Sequence, residues 1–158
     1  MPKIIGIDPG LAATGIGIVQ GYGVEIGGFS YGQILTHSTI SLPARLQRIY
    51  TTILSTITQQ KPDLLVIEDV FSLEKYPKSG ITLGKVTGVI LLAGYAAGIP
   101  IQEVPVREVK KVLTGNGGAG KAQLEKAIRN LLHLKEAIRP YHASDALGLA
   151  VVGLYRYS

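Results

Sequence analysis

The spacing of apolar positions changes along the chain, and each change marks a structural element. Residues 3–8 (KIIGID) make a short apolar run that reads as a strand. Residues 14–20 (TGIGIVQ) make a second, with small residues at alternate positions. Pro9 and Gly10 between them predict a tight turn, and a third strand over 24–35 would complete an antiparallel meander. The period then becomes helical. Leu42, Leu46, Ile49, Ile53 and Ile57 recur at intervals of three or four, and Ser41-Leu42-Pro43 supplies a helix start. An amphipathic helix is therefore expected over 42–60.

Residues 63–68 (DLLVIE) are almost continuously apolar, as in a central strand covered on both faces. A polar loop with Pro77 and Gly80 follows, then a buried helix over 81–97 and a strand over 99–104. A short helix over 106–113, a glycine-rich loop over 115–120, and helices over 121–133 and 142–156 complete the chain. Strands followed by alternating helices and strands predict an α/β fold, a mixed central β-sheet flanked by α-helices. A length of 158 residues suits one domain spanning 1–158.

Composition narrows the class. Hydrophobic residues at 46% can supply a core, and the absence of cysteine excludes a disulfide scaffold, a thiol nucleophile and Cys-ligated zinc. The longest uncharged stretch, 86–102, is broken by Gly88, Gly94, Gly98 and Pro100 and falls short of a membrane span. Asp8 interrupts the apolar start too early for a secretion signal. A soluble, cytoplasmic protein without a membrane partner is expected.

The formal charge of +5 points to an anionic partner of unspecified kind. Its distribution is more informative. Residues 1–74 carry 4 basic and 6 acidic side chains, whereas residues 75–158 carry 12 basic and 5 acidic. Such a split fits a metal or acid/base centre beside a phosphate-binding surface, and equally a chance segregation of solvated charge.

Four residues are out of place in their apolar surroundings. Asp8 and Glu68 each end a strand expected to be central, and His142 and Asp145 lie three apart on one face of a small, apolar helix. A carboxylate there is costly unless it is paired or holds a cation. Singly, each could cap a turn, pair with an arginine or hold a buried hydrogen bond. Together, three carboxylates and an imidazole suit a hard divalent cation such as Mg²⁺. Asp69 is expected to point away, because side chains alternate along a strand. His37 and His133 stand alone and are read as incidental.

The loop Gly115–Lys121 (GNGGAGK) satisfies G-x-x-x-x-G-K, but Ala122 stands where a phosphate-binding loop needs Ser or Thr. A helix, not a strand, precedes it. It is better read as a loop that delivers Lys121 to a backbone phosphate at a helix start. Lys110, Lys111, Lys126 and Arg129 crowd the same region. Phe71 and Tyr76 follow Glu68, where loop aromatics could stack on unpaired bases.

In order along the chain, these features resemble the RuvC family of Holliday-junction resolvases. The matching stretches are IGIDPG with Thr14-Gly15, LPARL at 42–46, IEDVF at 67–71 and LGKVTGV at 83–89. Val109-Lys110, Gly120-Lys121 and ASDAL at 143–147 continue the series. The resemblance implies an RNase H-like fold, a homodimer, and metal-dependent cutting of four-way junction DNA in recombination and repair. The ends left would be 5′-phosphate and 3′-hydroxyl.

It also implies that Asp8, Glu68, His142 and Asp145 hold Mg²⁺, two ions per site, with Mn²⁺ as a substitute. His142 stands where many members have Asp. Phe71 would wedge the junction, Lys110 and Lys121 would contact phosphates, and a branch-migration motor complex is a candidate partner. Residues 74–80 match the pattern poorly. The competing readings are a nuclease of the same fold with another substrate, a nucleotide-binding actin-like module, and a binding protein with a dead site.

Overall fold

The computed structural model describes residues 1–70 and 77–157. Three strands open the fold: β1 (Lys3–Asp8), β2 (Ala13–Tyr22) and β3 (Glu25–Leu35). They are followed by α1 (Leu42–Gln60), β4 (Leu64–Glu68), α2 (Pro77–Ala96) and β5 (Ile101–Val104), and then by α3 (Val106–Thr114), α4 (Lys121–Leu131) and α5 (Tyr141–Arg156). The sheet order is β3-β2-β1-β4-β5. β1 to β3 form an antiparallel meander, while β4 runs parallel to β1 and β5 parallel to β4.

The continuous apolar runs are explained by helices on both faces. In β1, Ile5 and Ile7 enter a core shared with Ile49, Ile53 and Ile57 of α1 and Val86, Ile90 and Ala93 of α2. Ile4 enters the opposite core, with Leu147, Ala150, Val151 and Leu154 of α5. In β4, Leu65 and Ile67 belong to the α1–α2 side, Leu64 and Val66 to the α5 side. Each strand thus feeds two layers by its alternation of two.

Local signals set most boundaries. The Ser41 hydroxyl accepts from the Ala44 N–H at 3.4 Å and Pro43 sits in the first turn of α1, while Lys61 closes the helix in the left-handed region. Two expectations change. α2 begins at Pro77, so Gly80 lies inside the helix and not in a loop; proline lacks only an N–H that a first turn leaves unbonded. α2 is also not buried all round. Ile81, Leu92 and Tyr95 are 62%, 57% and 81% exposed, because only the face bearing Val86, Ile90 and Ala93 reaches the core. Among the described residues, 78–96 is one helix long and apolar enough to cross a membrane, a property that core helices share.

Candidate active site

Strand alternation decides which side chains meet. Since Ile5 and Ile7 face α1 and α2, Asp8 falls on the α5 side; since Leu65 and Ile67 do the same, so does Glu68. β1 and β4 are parallel neighbours with Ile7 beside Ile67, so Asp8 and Glu68 leave the sheet side by side at its carboxyl end. Ligand sites of open α/β sheets gather at that end.

α5 brings the other two groups. His142 lies in its first turn, with Nδ1 2.8 Å from Asp8 Oδ2, and Asp145 follows one turn on. A carboxylate oxygen accepts, so in this contact the imidazole would donate its Nδ1–H. The four groups and Lys110 and Lys121 line one cavity of about 300 Å³, with Leu83 and Val106 as its apolar wall. Asp69 lines it too. Its backbone N–H donates to the Val104 carbonyl at 2.9 Å, just past the end of β4.

The electrostatics follow from crowding acids in a half-dry pocket. Asp8 is only 6% exposed. Burial, then the hydrogen bond and charge of Asp8, then the charge of Asp145, push the Glu68 carboxyl up to about 9, against the pull of Lys121. Asp145 is raised to about 6 by burial and by Asp8, opposed by Lys121, His142 and Lys110. The hydrogen bond to Asp8 raises His142 above its ordinary value, against the effect of burial. Without a cation, the cluster relieves its repulsion by retaining protons.

The lysines are placed by a helix–loop–helix. Lys110 projects from α3; Gly115 closes α3 in the left-handed region at φ 78°, and Lys121 is the first residue of α4. Glu125 of α4, which nothing in the sequence singled out, holds this unit to the start of α5. Only 2% exposed, it accepts from the Ile138 N–H and from Arg129, each at 2.9 Å. The helix bearing Lys121 is thereby tied to the segment that leads into His142.

Phe71 and Tyr76 lie outside the described residues. His133, at the end of α4 with φ 57°, lines a larger cavity of about 590 Å³ beside β3. Glu25 is its only titratable neighbour among the lining residues, so that cavity lacks the acids and lysines of the smaller one. His37 bonds Thr39 in its own loop at 2.8 Å.

Known proteins resemble the chain over nearly its whole length. Residues 4–153 match the family model described as crossover junction endodeoxyribonuclease RuvC. The chain is 36% identical over 155 residues to the protein of that name from Syntrophomonas wolfei, covering 98% of this chain and 90% of the relative. It is 38% identical over 149 residues to the Brevibacillus brevis protein, covering 94% and 89%. The structure of Thermus thermophilus RuvC in complex with Holliday junction substrate superposes with a TM-score of 0.91 at 28% identity, covering 98% of this chain and 94% of that one.

Proposed function

Because the chain belongs to the RuvC family of crossover junction endodeoxyribonucleases, we propose that it cuts four-way DNA junctions by metal-dependent hydrolysis at the Asp8–Glu68–His142–Asp145 cavity. The observation that carries the reading is the convergence of Asp8, Glu68, His142 and Asp145 with two lysines on one cavity at the carboxyl end of the sheet. The acids are hard oxygen donors, and the burial and neighbouring acids that raise Glu68 are effects a bound cation would offset. Among the described residues, no three His, Asp or Glu side chains are placed to hold an ion as they stand, so the carboxylates would have to close on one. Mg²⁺ takes a few carboxylates and completes its shell with water and substrate phosphate. The imidazole of His142 also accepts Mn²⁺.

Asp8, Glu68, His142 and Asp145 would hold two ions. When bound, they supply a water of lowered pKa and charge stabilisation at the phosphorus. The chain's own residues do the rest. Lys110 and Lys121 hold the phosphodiester over the cavity, and the Asp8–His142 contact fixes the imidazole. Water oxygen attacks phosphorus, the P–O3′ bond breaks, and a proton reaches the leaving oxygen. A 5′-phosphate and a 3′-hydroxyl result. Phe71 would enter the branch point.

Two symmetric cuts need two sites, and the exposed apolar face of α2 (Ile81, Leu92, Tyr95) is a surface on which a second copy could pack. We place the reaction in the cytoplasm, on recombination and repair intermediates. The test is a labelled four-way junction with Mg²⁺ or Mn²⁺, with a linear duplex for comparison. Paired nicks near the branch point, lost in Asp8→Asn, are expected; junction binding should persist. Substantial cutting by Asp8→Asn would overturn the assignment.

A further inference from the structure

Gly15 stands opposite Asp8 in the β1–β2 ladder, on the face that carries α5. A Cβ placed on it would lie 2.0 Å from the His142 carbonyl oxygen and 2.3 Å from its carbonyl carbon. Two neighbouring strand glycines are pressed as closely: a Cβ on Gly6 would be 2.1 Å from the Ala146 oxygen, and one on Gly17 2.5 Å from the Leu147 nitrogen. Those two meet the second turn of α5. Gly15 alone meets the turn that carries His142.

We propose that Gly15 is a positioning residue of the active site: its missing side chain seats the His142 backbone on β2, and this sets the 2.8 Å approach of the imidazole to Asp8. The obstructing atoms are backbone, so no rotamer change can make room. A real Cβ keeps at least 3.0 Å from such atoms, so alanine would displace the first turn by about 1 Å. The turn has little freedom to slide, because Ile138 just before it is held by Glu125. The rest of α5 is anchored through Leu147, Val151 and Leu154, which are 1% exposed or less. Alanine at 15 should therefore tilt the start of α5 and not release the helix. A misplacement of 1 Å can cost roughly 100-fold in rate.

The inference rests on the reading of this cavity as the metal site, and the experiment separates the two. Gly15→Ala is compared with Gly153→Ala, whose Cβ would meet Val66 and Ile4 at 2.6 and 2.9 Å at the far end of the same helix. Both should lower the melting temperature. In metal-free protein the imidazole ¹⁵N resonances of His142 should move in Gly15→Ala only, with His37 and His133 as internal references. Mn²⁺ affinity should fall about tenfold and single-turnover cutting about 100-fold in Gly15→Ala. Gly153→Ala should stay within about twofold on both. In a double-variant cycle, Gly15→Ala should add little to His142→Ala.

An unmoved His142 signal with native cutting in Gly15→Ala overturns the proposal. So does an equal change in Gly153→Ala, full additivity in the cycle, or failure of Gly15→Ala to fold, which would assign Gly15 to the fold alone. If instead Asp8→Asn cuts normally, it is the reading of the cavity that fails.

Discussion

A carboxyl that keeps its proton to about 9 makes the stability of the metal-free protein depend on pH in a definite direction. In the unfolded chain Glu68 ionises near 4.5; in the folded chain it stays neutral, beside Asp8 and buried, up to about 9. Folding therefore takes up a proton throughout that window. The stability it contributes is full below the unfolded value and is lost as pH rises through the window. Asp145 acts in the same sense between 3.8 and about 6, and His142 above its ordinary 6.5. The facing charges that oppose both acids are Lys121 of α4 and, for Asp145, also Lys110 of α3 and His142.

One proton of difference is worth up to about 1.4 kcal/mol per pH unit. For a chain of this size that corresponds to roughly 3–6 °C in melting temperature per unit. The assay is thermal unfolding in a chelator across about pH 7 to 9, where Asp145 no longer contributes. Native protein should lose stability steadily. Glu68→Gln should reduce the slope to the share that His142 contributes, since its amide can donate to Asp8 at every pH, and should melt higher than the native protein near the alkaline end. Saturating Mg²⁺ should flatten the native slope as well, because a cation takes the place of the retained proton. An equal slope in Glu68→Gln, or stability that rises with pH in the native protein, would refute the account of this cluster.

Three further outcomes are expected. Lys121→Ala should weaken junction binding at all sequences and reduce the slope of log K against log salt by about one, read by fluorescence anisotropy across a salt series; an unchanged slope removes Lys121 from the phosphate contacts. Glu125→Ala should cost about 2–4 kcal/mol in denaturant unfolding, since it strands the buried Ile138 N–H and unpairs Arg129, and Glu125→Gln should recover part of it. Leu92→Asp with Tyr95→Asp should shift a sedimenting dimer toward monomer and abolish paired nicking; a dimer that survives both substitutions lies on another face.

Sequence alone revealed those parts of the molecule whose signal is local or periodic. The helical spacing from Leu42 to Ile57 and the Ser41 cap gave α1 its boundaries, since both act within a few residues. The apolar run before Glu68 gave β4, because a strand covered on both faces cannot afford a polar position. Asp8, Glu68, His142 and Asp145 stood out because an ionisable group among apolar neighbours contradicts its surroundings. Glu125 was invisible: its partners Ile138 and Arg139 lie 13 and 14 positions on, and its nearer one, Arg129, makes it resemble any solvated helical ion pair.

The alternating small residues of 14–20 show where such reading stops short. They were apparent as a pattern, yet a glycine in a strand weakens it by its own propensity, so the pattern could only be noted. Its reason lies about 130 residues away. α5 presents Ala143, Ala146 and Ala150, all fully buried, and its backbone comes down onto Gly6, Gly15 and Gly17 where side chains would otherwise stand. The loss of intrinsic strand preference is offset by the close packing of a helix on a sheet. That packing is also what brings an imidazole from the end of the chain to a carboxylate near its beginning. The small residues and the acids are therefore parts of one device: the acids supply the charge, and the absence of side chains at 6, 15 and 17 supplies the distance at which they act.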